Sequence, residues 1–219
     1  GESRPCSKQP HFADCSHSFS PSHFRPPLGA MLTLILGGAR SGKSGLAQRL
    51  AAPAGRVTFV ATAHTQSGDA EMSARIERHR AQRPAAWRTI EEPLALADAV
   101  ERSVNQADAI LVDCLTVWLG NLFFEHRDAV PKNAAVGQVE TAARSNLQRI
   151  AAAAGRCHII LVSNELGSGT VPEAALTRGF RDTQGLLNQW AAGAADEVIL
   201  TVAGLPLYLK TRSENKVSK

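Results

Sequence analysis

Apolar positions along this 219-residue chain follow two rhythms. Short continuous apolar runs at 32–36, 57–62, 109–112, 158–163 and 197–202 read as buried strands. Between them lie longer segments with apolar residues three and four apart, such as Leu46, Ala47, Leu50 and Ala51, which read as helices. A helix is expected from about Gly42, a polar loop over 64–70, and a helix over 71–83 ended by Pro84. Residues 87–92 read as a short strand or turn, and Pro93 opens a helix of roughly ten residues. Residues 115–124 read as a helix, 125–137 as a polar loop suited to a lid or subunit contact, and 139–154 as an Ala-rich helix closed by Gly155. A polar, Gly-containing exit at 164–169 leads to a mostly helical stretch at 172–195. The chain ends in a hairpin, 197–202 and 206–210 joined through Ala203-Gly204, and a charged tail at 211–219.

Strands alternating with helices imply an α/β fold, a mostly parallel sheet covered on both faces, with a C-terminal hairpin. Ligands of such sheets bind at the carboxyl ends of the strands. Gly37, Thr62, Asp113 and Asn164 each fall at such an end, so four strand exits converge on one crevice.

Residues 1–30 carry no hydrophobic period and are rich in Ser, Pro and His, so disorder is expected there. Cys6, His11, Cys15, His17 and His23 match no standard zinc spacing. Met31 is the expected start of the functional domain, 31–210, with residues 1–30 a leader or an added segment. The N-terminus lacks the apolar core of a secretory signal.

A hydrophobic content of 44% suits one globular core, and no apolar run nears the roughly 18 residues of a membrane span. A net charge of +4 suits anionic small ligands and makes no case for nucleic acid. Of the four cysteines, Cys114 and Cys157 sit in or beside strand-like runs as reduced core thiols, which points to the cytoplasm.

The chemistry centres on Gly37-Gly38-Ala39-Arg40-Ser41-Gly42-Lys43-Ser44. An apolar strand ends in Gly37, and Gly42-Lys43-Ser44 opens a helix, the order of a P-loop. Its backbone N–H groups and the helix dipole cradle phosphates, Lys43 reaches the β- and γ-phosphates, and the Ser44 hydroxyl holds Mg²⁺. Asp113, closing an apolar strand, has the Walker B pattern. The chain therefore reads as a P-loop, RecA-like protein that binds a nucleoside triphosphate. A signalling GTPase is excluded: Asp182-Thr183-Gln184-Gly185 comes too late for the switch motif, and Asn215-Lys216 is followed by no guanine-binding acid.

On the helix expected over 71–83, Arg75, His79 and Arg83 recur at i, i+4 and i+8, on one stripe. Guanidinium groups beside an imidazole keep it neutral and nucleophilic near pH 7 and neutralise phosphate oxygens. The same spacing also describes a solvated basic face with an incidental histidine.

The blocks GGARSGKS (37–44), FVATA (59–63), EMSARIERHRAQRP (71–84), WRTIEEP (87–93), LVDCLTVWLGNL (111–122), VSNELGSGTVPE (162–173), RGFRDTQGLLNQ (178–189) and ADEVILTVAGLPLYLK (195–210) together resemble a known family. It is the bifunctional adenosylcobinamide kinase/adenosylcobinamide-phosphate guanylyltransferase of cobalamin biosynthesis. The resemblance implies phosphorylation of the aminopropanol hydroxyl of adenosylcobinamide by a nucleoside triphosphate, ATP or GTP. It then implies transfer of GMP from GTP to that phosphate through a guanylyl-histidine at His79, releasing pyrophosphate. It places Mg²⁺ on Ser44 and Asp113, a position where the family shows either acid, and Lys43 beside the phosphates. It places GTP contacts on residues 37–44, on Ala61, Thr62 and Ala63, on Arg80, Ala81, Gln82 and Arg83, and on Glu91 and Asp113. Glu91 either selects guanine through N1–H and the 2-amino group or is an acid near the N-terminus of the helix at Pro93. The family forms trimers with sites near subunit boundaries, so a homotrimer is expected. The resemblance spans about 31–210. The competing readings are a single-activity small-molecule P-loop kinase without a histidine intermediate, and a nucleotide-dependent interaction module.

Overall fold

A computed structural model of the chain describes residues 30–63, 77, 80, 81, 83–126 and 132–212. The apolar runs form β1 (Met31–Gly37), β2 (Val57–Ala61), β3 (Arg88–Glu91), β4 (Ala109–Asp113), β5 (His158–Asn164), β6 (Glu197–Val202) and β7 (Leu205–Lys210). They make one seven-stranded sheet in the order β3-β2-β4-β5-β1-β6-β7. All neighbours are parallel except β7, which returns antiparallel beside β6. The described helices are α1 (Lys43–Ala51), α2 (Leu96–Ser103), α3 (Leu115–Glu125), α4 (Lys132–Ala153) and α5 (Ala175–Ala194).

The period of two along each strand splits the core into two layers. Leu34, Val60, Ile110, Val112, Ile159 and Leu161 face one side, where they pack with buried residues of α2, α3, α4 and α5. Ile35, Phe59, Ala61, Ala109, Leu111, Ile160 and Val162 face the other, packed on Leu46, Ala47, Leu50 and Ala51 of α1. Both faces are thus covered, as the βα alternation predicts. Burying both faces also explains why these strands read as unbroken apolar runs rather than alternating ones.

Several boundaries differ from the sequence reading, each for a local reason. β2 ends at Ala61, because the Thr62 side chain is spent on the chain after β4: its hydroxyl donates to Cys114 O at 2.8 Å and accepts from Cys114 N–H at 2.9 Å. The helix expected at Pro93 begins at Leu96. The Glu92 carboxylate accepts from the N–H groups of Leu94 and Ala95 at 3.1 and 2.8 Å, which holds 92–95 as a turn ahead of the helix. The polar stretch at 125–137 is a shorter break than expected, since α4 already starts at Lys132. The helix-forming pair Ala134-Ala135 belongs to this helix, not to a loop. α5 starts at Ala175, three residues after Pro172.

Of the helix expected over 71–83, Glu77, Arg80 and Ala81 are described and are helical. Arg83 is described too and lies in a bend, while the remaining positions, including His79 and Gln82, lie outside the described residues, as do residues 1–29 with their Cys and His, and the tail from 213. No described helix is long and apolar enough to cross a membrane.

Candidate active site

The parallel register aligns the strand ends into one row. Glu91 pairs with Ala61, and Ala61 with Asp113, so three carboxyl termini stand side by side. Two strand spacings put the Glu91 and Asp113 backbones roughly 10 Å apart. On the other flank Gly37 pairs with both Asn164 and Thr201. Register partners in a parallel sheet share a face, and Ala61 belongs to the layer that α1 covers. Asp113, two residues beyond Leu111, lies on that same face, next to the loop between β1 and α1.

That loop is wound tightly. Arg40 and Gly42 adopt left-handed conformations (φ 56° and 93°), the backbone alternation that turns N–H groups toward an anion. Gly42 is the N-cap of α1, with no side chain capping the helix and no acid in its first turn. The positive end of the dipole is therefore left for a ligand. Lys43 is buried, and its ammonium donates to Gly38 O at 3.0 Å. The space above Gly38 is open. The Ser41 hydroxyl is buried and has no hydrogen-bond partner among the described residues, and the same holds for the Thr201 hydroxyl on the neighbouring strand. A buried hydroxyl left without a partner costs about 1–3 kcal/mol, a cost that a bound phosphate or its water shell removes.

Thr62 locks the other side of the crevice. Besides its two bonds to Cys114, its backbone N–H meets Asp113 O at 3.4 Å, and its carbonyl accepts from Asn121 Nδ2 at 2.9 Å. Asn121 also donates to Pro93 O at 3.0 Å, fastening α3 across the ends of β2 and β3. Cys114 itself is fully buried, and burial pushes its thiol up to about 11, with the Asp113 charge adding to the rise and Lys43 opposing it. The thiol stays protonated and inert, and both charges of the site act on it.

The arginines after His79 are placed differently from one another. Arg80 is exposed and forms ion pairs with Glu77 at 3.0 Å and with Glu91; these partners, above all the hydrogen bond that Arg80 donates to Glu91, hold its pKa above the ordinary value. Arg83 is half-buried, with its guanidinium 4.0 Å over the ring of Phe59. Burial lowers its pKa, while the Asp113 charge opposes that shift. Pro84 lines a groove with Gly45, Gln48, Arg49 and Ala52, so the segment carrying Arg83 runs beside α1. Glu91 makes its described contact with Arg80, and the turn into α2 is held by Glu92 instead.

Residues 37–44, Ala61, Thr62, Ala63, Arg80, Ala81, Arg83, Glu91 and Asp113 thus gather at the carboxyl edge of β1, β2, β3 and β4, on or beside the α1 face. His79 and Gln82 lie outside the described residues. Sequence reasoning passed over three features of this edge. One is the tip of the β6–β7 hairpin, whose Gly204 N–H donates to Ser41 O at 2.9 Å. The second is the ring under Arg83. The third is a buried polar cluster under Asn164: Gln184 donates to Ser163 Oγ at 2.9 Å and to Asn188 Oδ1 at 3.0 Å, and Asn188 donates to Asn164 O at 3.0 Å. Gln184 and Asn188 stand four apart on α5, a spacing that would have flagged the cluster.

A family model described as cobinamide kinase / cobinamide phosphate guanyltransferase matches residues 33–209. The bifunctional adenosylcobalamin biosynthesis protein CobP of Pseudomonas aeruginosa is 48% identical over 181 residues, covering 82% of this chain and 98% of that protein. The bifunctional adenosylcobalamin biosynthesis protein CobU of Escherichia coli is 40% identical over 183 residues, covering 82% of this chain and all of that protein. Among solved structures, an ATPase from the type III secretion system of pathogenic bacteria shares the fold, with a TM-score of 0.54 at 13% identity over 87% of this chain and 59% of that one.

Proposed function

The chain belongs to the cobinamide kinase / cobinamide phosphate guanyltransferase family, and we propose that it carries out both reactions on adenosylcobinamide at the crevice described above. The observation that carries this reading is the family match over residues 33–209, which spans the phosphate loop, Asp113 and the Arg80–Arg83 segment together.

In the kinase step the acceptor hydroxyl releases its proton to water as its oxygen attacks the γ-phosphorus of ATP or GTP. The bond from that phosphorus to the β-bridging oxygen breaks, and the nucleoside diphosphate leaves. Charge gathers on phosphate oxygens, where the loop N–H groups, the α1 dipole and Lys43 stabilise it. In the guanylyl step an imidazole nitrogen of His79 attacks the α-phosphorus of GTP and pyrophosphate leaves. A phosphate oxygen of adenosylcobinamide phosphate then displaces the imidazole, giving adenosyl-GDP-cobinamide and free His79. Splitting the transfer in two lets one cradle serve both half-reactions.

The residues present fit a magnesium nucleotide: an uncapped helix N-terminus, a buried Ser41 hydroxyl without a partner, and a hydroxyl and a carboxylate as oxygen donors. Ser44 and Asp113 would hold Mg²⁺, which when bound neutralises phosphate charge. Arg83 would meet phosphate oxygens. Glu91 would accept from guanine N1–H and the 2-amino group once released from Arg80. We place the activity in residues 31–210 and assign the chain to a homotrimer in the cytoplasm.

The test is product analysis. The full chain with Mg²⁺, adenosylcobinamide and ATP is expected to yield the monophosphate, and addition of GTP to yield adenosyl-GDP-cobinamide with one pyrophosphate per product. Phosphate transfer without guanylyl transfer would leave a single-activity kinase. Neither product, with nucleotide bound, would leave an interaction module.

A further inference from the structure

Two arginines flank the end of the segment that follows His79, and they are spent differently. Arg80 is engaged by Glu77 and Glu91. The side chain of Arg83, three residues on, makes no hydrogen bond or ion pair with a described residue, although its backbone N–H donates to Arg80 O at 3.2 Å; its Nε is covered and has no partner among the described residues. A half-buried guanidinium without a carboxylate at hydrogen-bond distance is costly. What it has instead is Phe59, whose ring lies 4.0 Å beneath its Cζ.

Phe59 is fixed. It is 1% exposed, in the middle of β2, and packed in the layer that α1 covers. Its ring cannot follow a moving arginine; the arginine is held to the ring. The negative face of the ring offsets part of the desolvation of the cation without using any of its N–H donors. Contact with a fixed ring also limits where the guanidinium can lie, which leaves its N–H donors available to two oxygens. Phe59 is two residues before Ala61, which pairs in register with Asp113. The field of Asp113 reaches Arg83 as well. Arg83 therefore lies on the α1 face of the sheet, within the field of Asp113.

We infer that Phe59 is a positioning residue: its ring holds Arg83 with its side-chain donors unspent on any described residue, ready for a phosphate of the bound nucleoside triphosphate. This rests on the placement of the nucleotide proposed above and adds to it the residue that aims the arginine. Phe59 touches no reacting atom; it acts through Arg83.

A double-mutant cycle on Mg²⁺–GTP affinity, measured by calorimetry with the full chain, tests it. Phe59→Met keeps most of the side-chain volume and removes the ring; it is expected to weaken GTP binding about fivefold. Arg83→Ala is expected to weaken it tenfold or more, and Phe59→Met in that background to add nothing. Ile160→Val, in the same core layer, should leave affinity unchanged although it lowers stability. Arg83→Lys keeps the charge without the planar stack and should lose about as much as Phe59→Met, a check that survives if Phe59→Met does not fold. Wild-type affinity in Phe59→Met or Arg83→Lys, an undiminished Phe59→Met effect in the Arg83→Ala background, or an equal shift in Ile160→Val would overturn the inference. A chain that shows the coupling but forms no guanylylated product would fail the two-step reading and leave this one standing. A chain that does not bind GTP fails both.

Discussion

The backbone N–H of Gly204 donates to the carbonyl oxygen of Ser41 at 2.9 Å, so the tip of the last hairpin holds the phosphate loop from behind. The fit is close. A Cβ on Gly42 would stand 3.1 Å from the Gly204 Cα, and both glycines are left-handed, at φ 93° and 81°. The only antiparallel pair in the described sheet thereby acts on the site although it carries none of the expected site residues.

The two glycines should respond differently to substitution. A Cβ at Gly204 meets no atom within 4 Å, so Gly204→Ala carries only the cost of a left-handed alanine, about 1 kcal/mol. Urea melts should show that loss with GTP affinity within a fewfold of wild type. Gly42→Ala adds the collision at the hairpin tip and should weaken GTP binding more than tenfold in the same titration. Equal effects of the two would contradict the brace.

His158, at the start of β5, is buried and its Nε2 lies 2.9 Å from Thr33 Oγ1. Burial pushes its pKa down to about 4 from 6.5, with the Asp196 charge opposing. The folded imidazole is therefore neutral where the unfolded one takes a proton. Its contribution is complete above pH 6.5 and is lost as pH falls from there toward 4, up to about 3 kcal/mol. Urea midpoints measured from pH 7.5 to 5 should fall, and His158→Gln should flatten that slope.

Asn188 ties α5 to Asn164 at the carboxyl end of β5 and accepts from Ser163 Oγ at 2.6 Å. Asn188→Ala would leave a buried hydroxyl and the Asn164 carbonyl without this partner, at a cost of about 1–3 kcal/mol each. The expected result is a clear drop in the urea midpoint. Chemical denaturation unchanged from wild type would show that water replaces the side chain.

Cys114 and Cys157 are buried free thiols, each pushed up to about 11 chiefly by burial. Iodoacetamide at pH 8 should leave both unmodified in the native chain and alkylate both in guanidinium, as peptide mapping would read. Rapid native labelling of Cys114 would contradict the closed packing beneath the site.

Much of this architecture is legible in the sequence because strands buried on both faces leave unbroken apolar runs, and the Gly-rich loop announces which strand carries the phosphate cradle. Gly37, Thr62, Asp113 and Asn164 could be named from position at strand ends alone, and Ser44 from the motif of the Gly-rich loop. The boundaries that slipped did so locally: Glu92 capping its own turn delayed α2, and the polar residue types of 125–137 concealed the start of α4 at Lys132. Features set by lateral strand order were not legible. Nothing local says that β6 lies beside β1, so the reach of Gly204 to Ser41 is invisible until the sheet is assembled. Phe59 looks like any core phenylalanine until Arg83 is seen above it.

The central claim is a guanylyl group on His79, and intact-protein mass after incubation with Mg²⁺ and GTP tests it most directly. The account predicts a GMP-sized increment on the wild-type chain, lost in acid, stable in base, and absent from His79→Ala. A wild-type chain that binds GTP and gains no such mass would contradict it.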